Sequence, residues 1–321
     1  MKAVVYTRYG PPEVLEVKEV AKPAPKDDEI LVRIHATTVN RTDCGFRRPE
    51  YGWISRPIHG LFKPGKNILG SELAGAIEAI GKDVKTFAVG DQVFGLTAST
   101  FGTHAEYICI PEHGSIAKKP ANMSFEEAAA VCDGLMLGLN LVKEIDFGRA
   151  MNILVNGASG SIGSACLQLA KHYGANVTAV CSTKNIELMK SLGADRVIDY
   201  TKDDFTRDDR LYDAVIDAVG KSSFNRCRRL LNTGGLYLST DFGFLGQNVF
   251  LALVTPIFGG RKVGFPIPKV TQEDIHFFKD LIEAGRYRAV IDRRYPLEQI
   301  VEATKYVETG EKTGNVVVTI R

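Results

Sequence analysis

No C-x-x-C pair occurs in these 321 residues, and the six cysteines, Cys44, Cys109, Cys132, Cys166, Cys181 and Cys227, stand at wide, irregular intervals. Such spacing fits neither a disulfide framework nor a structural zinc lobe, so the cysteines read as reduced thiols. Several sit in apolar segments such as SACLQLA and VTAVCS, where free cysteine packs as a small hydrophobe. Charge of one sign is lacking too. The formal net charge is +2 and no run of five or more basic residues occurs, which gives no overall field to gather nucleic acid or acidic lipid. The expected partner is therefore a small molecule. Long apolar runs are also missing: the longest, VFLALV at Val249 to Val254, stops at Thr255 and Pro256, well short of the roughly 18 residues a membrane span needs. The start, MKAVVYTRYGPPE, has too few apolar residues before Thr7 and Arg8 for a signal-peptide core. These absences set the expectation of a cytoplasmic protein with no nucleic acid and no membrane among its partners.

What is present resembles an ordinary globular chain. Hydrophobic residues make up 45% and charged residues 24%, which excludes disorder, and the length suits two domains. From Lys2 to about Ala121, short apolar or alternating runs broken by Gly and Pro (AVVYT, EILVRIHA, LAGAIEAIG, DQVFGLT, AEYICIP) read as strands. At Ser124 the texture changes. Ser124 with Glu127 three residues on is a capping-box signature ahead of a helical run. Strands and helices then alternate through MNILVN, GSACLQLAKHYG, NVTAVC, IELMKSLG, RVIDY, YDAVIDAVG, FNRCRRLL and GLYLST, a pattern of right-handed β-α-β units on a parallel sheet. Two amphipathic helices, near Gln272 to Ala284 and Pro296 to Thr309, and a strand NVVVTI complete the chain.

The segment ILVNGASGSIGSACLQLAKHYGANVTAVCSTKN carries the strongest chemical signal, because a buried strand runs directly into spaced glycines and then a helix. Gly157 permits the tight turn, Gly160 lets the backbone approach a pyrophosphate, and Gly163 lets the helix pack close to the strand. The spacing is G-x-x-G-x-x-G. No Gly-Lys-Ser/Thr closes the loop, which excludes a nucleoside-triphosphate P-loop, and Ser161 stands where a nucleophile elbow around Ser159 needs Gly. A dinucleotide remains. The second strand ends in Cys181, Ser182, Thr183 and Lys184 with no acid to accept hydrogen bonds from a ribose 2′-hydroxyl, while a hydroxyl and an ammonium suit a 2′-phosphate. The fingerprint also serves flavin sites; with the nicotinamide end implied by the resemblance described next, the expected cofactor is NADPH.

A strand-rich first part, the glycine loop in mid-chain, and the segments TVNRTDCGF, ILGSELAGAIEAIG, VGDQVFG and HAEYICIPE together resemble the medium-chain dehydrogenase/reductase superfamily, over essentially the full length. Within it they resemble the zinc-independent quinone oxidoreductase branch, including its reticulon-4-interacting-protein-like members. The resemblance implies an α/β fold: a strand-rich GroES-like catalytic domain from residues 1–122 and 267–321, plus a Rossmann doubly wound parallel-sheet domain from 123–266. It implies that Gly157, Ser159, Gly160, Ser161, Ile162 and Gly163 cradle the dinucleotide and that Tyr200, after the next strand, joins Ser182 and Lys184 at the 2′-phosphate. Phe242, in TDFGF, would lie beside the nicotinamide, and Asn315, near Lys312 in the closing strand, would touch cofactor; Asn315 read alone is also a good turn residue. A homodimer through the Rossmann region, with RKVGF (Arg261 to Phe265) at the sheet edge, is likewise implied.

Zinc-dependent relatives place a Cys before a Thr-Asp segment and a His-Glu pair after a glycine. By that resemblance the matching positions are Asn40, ahead of Thr42 and Asp43, and Ser71, with Cys132 at the third. One thiolate cannot hold a catalytic zinc, which needs three protein ligands. The resemblance instead has Asn40 and Asp43 line the nicotinamide and the active-site floor, Asn40 donating an amide hydrogen bond; the plain alternative for Asn40 is a turn residue after a strand. Cys44 reads as packing.

Without a metal, hydride acceptors that spread charge over a π-system are favoured, namely quinones and α,β-unsaturated carbonyls. Tyr51, in RRPEYGW, is the candidate proton donor, with Arg41 and Arg47 as polar neighbours; a lid or packing contact is its alternative role. Trp53, Phe62, Phe242 and Phe244 suit stacking on a flat substrate or simple packing. His104 reads as structural, and His35 and His59 offer less. An enoyl-thioester reductase and a non-catalytic NADPH-binding protein remain the rival readings. Elemental analysis of the purified protein is expected to find no stoichiometric zinc, and chelation to leave activity unchanged.

Overall fold

A computed structural model describes residues 1–48, 60, 62–97 and 100–321. They form two compact units, Met1–Asp133 with Val270–Arg321, and Gly134–Lys269.

The first unit is built on a seven-stranded sheet. Its long central strand, Glu29–Val39, pairs antiparallel with Glu72–Ile80, Tyr107–Pro111 and the closing strand Asn315–Thr319. Alternating apolar residues of these strands, among them Ile30, Val32, Ile34, Leu73, Ile77, Val316 and Val318, form one core. The expected capping box is present: Ser124 Oγ accepts from Glu127 N at 3.2 Å, and Glu127 Oε2 accepts from Ser124 N at 2.9 Å. The helix it starts, Phe125–Ala129, lies against the strands of this sheet. For that reason the first unit continues past the 122/123 boundary expected from the change of texture.

Helix Arg41–Arg47 follows the central strand directly. Arg47 is wholly buried, and its guanidinium donates to the Gly10 carbonyl and to Glu308 at the end of helix Ile300–Glu308. Its charge thus ties two helices together.

The second unit is a six-stranded sheet in the spatial order Arg196–Asp199, Asn176–Cys181, Asn152–Asn156, Tyr212–Asp217, Leu231–Ser239, Lys262–Gly264, every pair parallel. The first strand in sequence is central and the order reverses beside it, which is the doubly wound pattern with its switch point after Asn156. Burial on both faces explains why these strands read as continuous apolar runs rather than alternations. Lys262–Gly264 stands at one edge. Between it and Leu231–Ser239 lies a helix, Gln247–Phe258, that the sequence reading did not anticipate.

No cysteine is bonded to another: five are buried and Cys109 is half-buried. Burial pushes the thiols of Cys44 and Cys166 up to about 12, and those of Cys181 and Cys227 up to about 11.

Candidate functional site

In the second unit the glycine loop leaves the carboxyl end of the central strand. Gly157 adopts φ +74°, and a Cβ there would meet Val219 Cγ1 at 2.3 Å. A Cβ on Gly163 would stand 2.1 Å from the Gly157 carbonyl oxygen, so only glycine lets helix Ser161–His172 start this close to the strand. Gly160 is the N-cap of that helix and offers no side chain to its first turn. Among the described residues the buried Ser161 Oγ has no hydrogen-bond partner. Open first-turn amides, a polar atom without a partner and an approach that any Cβ would block together fit a dinucleotide pyrophosphate.

The loop is held to the second strand by Ala158 N donating to Val180 O at 3.0 Å. Beyond that strand Ser182 caps a short turn, Thr183–Asn185, which carries Lys184 at the surface. Tyr200 N donates to Cys181 O at 3.0 Å, so Ser182, Lys184 and Tyr200 come together at one corner, Tyr200 exposed. Sequence reasoning overlooked an acid here. Asp199 ends the third strand in register with Cys181, but its carboxylate is occupied by Thr183 Oγ1 at 2.5 Å and by the Thr201 amide and hydroxyl. Those hydroxyls hold its pKa below the usual carboxylate range, so Asp199 stays charged; its oxygens are engaged within the turn, and Lys202 lies 3.9 Å from Oδ2. Asp217 was overlooked as well; wholly buried, it receives Asn156 Nδ2 at 3.0 Å and Ser222 N at 2.8 Å, fixing the loops that flank the glycines. Phe242 follows the fifth strand at the same edge of the sheet, half-exposed, its ring 5.3 Å from that of Phe265. A cavity of about 640 Å³ opens at the opposite, amino ends of the strands, among Met151, Asp213, Leu236 and Lys262, and takes no part in this site.

In the first unit, Asn40 and Asp43 form a capping box at the start of helix Arg41–Arg47. Asn40 Oδ1 accepts from Asp43 N at 2.9 Å, and Asp43 Oδ2 accepts from Asn40 N at 3.0 Å. Asp43 Oδ1 also receives Gly70 N at 3.0 Å, and the His104 ring lies 3.9 Å away, its Nε2 2.8 Å from the Thr38 carbonyl. The spacing Asn-x-x-Asp was the legible sign of this helix. His104 itself sits in a bend ahead of strand Tyr107–Pro111 rather than inside it.

The two positions that match zinc ligands meet as a hydrogen bond: Asn40 Nδ2 donates to Ser71 Oγ at 3.0 Å. An amide and a hydroxyl paired in this way do not suit zinc. Cys132 is buried and its thiol is pushed far above its ordinary range by burial, and the described residues contain no group of three His, Cys, Asp or Glu able to hold a metal. Glu72, beside Ser71, accepts from Asp133 N at 2.7 Å and from the Thr38 hydroxyl. Burial raises the carboxyls of Asp43, Glu72 and Asp133 and lowers Lys312, whose Nζ donates to the Gly314 carbonyl at 2.5 Å. Nothing in the sequence pattern had pointed to Asp133.

Asn315 lies one step beyond the Val316–Val39 pair, at the Asn40 end of the sheet. Its amide nitrogen donates to the carbonyls of Ala130 and Val290 at 2.7 and 3.2 Å, which anchors the closing strand. Tyr51, Trp53 and His59 lie outside the described residues, and Phe62 is exposed.

Two family profiles match: "Alcohol dehydrogenase GroES-like domain" over residues 26–121 and "Zinc-binding dehydrogenase" over 192–318. The 2-methylene-furan-3-one reductase of Solanum lycopersicum is 33% identical over 99% of this chain and 79% of its own. The chain belongs to the medium-chain dehydrogenase/reductase superfamily. Its zinc-independent, quinone oxidoreductase-like character accords with the Asn40–Ser71 pair. The NADPH-dependent alkenal/one oxidoreductase, chloroplastic, of Arabidopsis thaliana is 31% identical over the same shares. Among solved structures, the quinone oxidoreductase from Coxiella burnetii superposes with a TM-score of 0.87 at 25% identity, covering 100% of this chain and 99% of the other. The Arabidopsis relative is named for its use of NADPH.

A charge-assisted hydrogen bond contributes about 1.5 to 3 kcal/mol, so Lys184→Ala is expected to weaken NADPH roughly ten- to a hundredfold and to leave NADH nearly unchanged, as read by fluorescence titration of the two cofactors. Equal weakening of both would remove Lys184 from the phosphate site.

Proposed function

We propose that the chain is a zinc-free, NADPH-dependent reductase of quinones and α,β-unsaturated carbonyls. The observation that carries this reading is the Asn40–Ser71 hydrogen bond at the positions where zinc-dependent relatives keep ligands, in a chain whose glycine cradle accepts a dinucleotide. When bound, NADPH supplies a hydride and is left as NADP⁺. The acceptor takes that hydride together with one proton, a quinone becoming its hydroquinone and an enone its saturated carbonyl. A simple ketone concentrates the developing charge on one oxygen and wants a Lewis acid; a conjugated acceptor distributes it, and hydrogen bonds suffice. Asn40 keeps a second amide hydrogen beyond the one given to Ser71, and in this reading it donates to the acceptor oxygen. Tyr51 is the proposed proton donor. The names of the tomato and Arabidopsis relatives, both reductases of conjugated carbonyls, support the substrate class.

A panel of soluble quinones, enones and enoyl thioesters, followed by NADPH oxidation, tests the reading. Quinones and enones are expected to be turned over well and thioesters poorly. Turnover of thioesters alone would favour an enoyl-thioester reductase, and no turnover at all a non-catalytic NADPH-binding protein.

The six free cysteines support a reducing compartment, and we place the enzyme in the cytoplasm. The edge strand Lys262–Gly264 supports a homodimer in which two copies pair their edges across a two-fold axis, satisfying backbone groups otherwise left to water. Light scattering at micromolar concentration is expected to return twice the mass of the chain; a monomer would refute the dimer.

A further inference from the structure

The hydroxyl of Ser71 is a buried donor without an acceptor, and the orientation of Asn40 decides this. Asn40 Oδ1 accepts from Asp43 N at 2.9 Å, so the atom turned to Ser71 is the amide nitrogen, and Ser71 Oγ receives it at 3.0 Å. Ser71 is thus the acceptor in that bond. Its own hydrogen is given to no group among the described residues. Ser71 is 2% exposed and Asn40 5%, so both are shielded from bulk water. A buried donor left open is costly, and its presence asks for a ligand that accepts it.

The backbone around Ser71 holds this hydroxyl in place. Ser71 O receives Thr97 N at 2.6 Å and Thr97 Oγ1 at 3.2 Å, and Gly70 N donates to Asp43 Oδ1 at 3.0 Å. Gly70 has φ +88°, and a Cβ on it would stand 2.4 Å from both His104 Cδ2 and Thr103 Oγ1, so only glycine brings the chain to Ser71 along this path. All of these residues belong to the first unit. A donor fixed in advance, in a site poor in water, is suited to stabilising charge that develops on a substrate oxygen.

Asn40 Nδ2 has a second hydrogen, beyond the one it gives to Ser71. The two hydrogens of a planar amide nitrogen diverge by about 120°, so an oxygen that accepts the free one stands roughly 5 Å from Ser71 Oγ, out of reach of its hydroxyl. One oxygen cannot take both donors. The pair suits an acceptor that carries two oxygens on one rigid frame.

We propose that Ser71 is a catalytic residue for quinones, its hydroxyl donating to one quinone oxygen while the free Asn40 hydrogen is given to the other. The proposal rests on the reductase reading, which puts the acceptor at Asn40. A quinone that takes a hydride spreads the developing charge across its ring to the second oxygen, and an enone has no such oxygen. Ser71 lends a hydrogen bond and keeps its proton. The hydride comes from NADPH, which is left as NADP⁺, and the one proton that completes the hydroquinone is the proton of the proposed reaction.

The test follows NADPH oxidation by the full chain with a fully substituted para-benzoquinone, which has two oxygens, and with cyclohexenone, which has one. Ser71→Ala is expected to lower kcat/KM for the quinone about tenfold or more and to leave that for the enone within about twofold, whereas Asn40→Ala lowers both. Ser71→Thr, which keeps the hydroxyl, is expected to stay near wild type with both. A Ser71 that only held Asn40 in place would slow both substrates together when replaced. Wild type alone gives a second measurement, independent of how the variants fold: under exclusion of oxygen, hydroquinone is expected to inhibit several-fold more tightly than phenol, which lacks the second oxygen. Equal losses for quinone and enone in Ser71→Ala, no loss for either, or equal inhibition of wild type by hydroquinone and phenol would overturn the proposal. A wild type that reduces enones but not quinones also overturns it and leaves the reductase reading standing; a wild type that reduces neither removes that reading and the proposal with it.

Discussion

One buried carboxylate, that of Asp43, sets the geometry on which the candidate site of the first unit rests. It closes the start of helix Arg41–Arg47 through Asn40 N, ties in the turn at Gly70, and lies beside the His104 ring. A buried charge with two amide donors is tolerable, and with fewer it is not. Because Asn40 is fixed by the same box, its amide orientation follows: Oδ1 is given to the helix and Nδ2 to Ser71. The role of a metal in organising these segments is therefore taken by an N-cap.

The two units differ in where their unpartnered polar atoms lie. In the first, Glu72 is held by the Asp133 amide and Asn315 by two carbonyls, while Arg47 Nε and His104 Nδ1 have no partner among the described residues. The second leaves open the donors at the start of helix Ser161–His172, where glycine has replaced any capping side chain. Incomplete satisfaction at a helix start is costly unless something else arrives to accept those bonds, and the order of strands puts that start at the switch point of the sheet.

Much of this was legible in the sequence. The glycine loop, the parallel strands and the missing acid after Cys181 could be read because each rests on local chemistry: a turn, a buried run, a charge. The edge position of RKVGF came instead from the family resemblance. What escaped the reading depends on pairing across distance. Asp199 is an acid near the phosphate corner whose oxygens are turned to Thr183 and Thr201, and no spacing rule reports that. The resemblance put Asn315 at the cofactor, but the donation of its amide to Ala130, far away in sequence, could not be read from it. Helix Gln247–Phe258 was hidden by its composition, since periodicity reveals a helix only when one face is polar. Helix Arg41–Arg47 could have been found from Asn40 and Asp43, whose spacing was read for chemistry rather than for capping.

The state of the cysteines has a consequence for the durability of the enzyme. Quinones and enones are soft electrophiles that add covalently to thiolates, so a catalyst that handles them risks being consumed by its own substrates. Thiolates are the reactive form, and a thiol with a pKa near 11 is ionised in only about one molecule in ten thousand at neutral pH. Here burial holds Cys181 and Cys227 at that level and Cys44 and Cys166 higher still, while the thiol of Cys132, near Glu72 and Asp133, is raised well above its ordinary value. Cys109 is half-buried and raised as well, so the packing that stabilises the two cores also lowers the reactivity of these thiols toward such electrophiles.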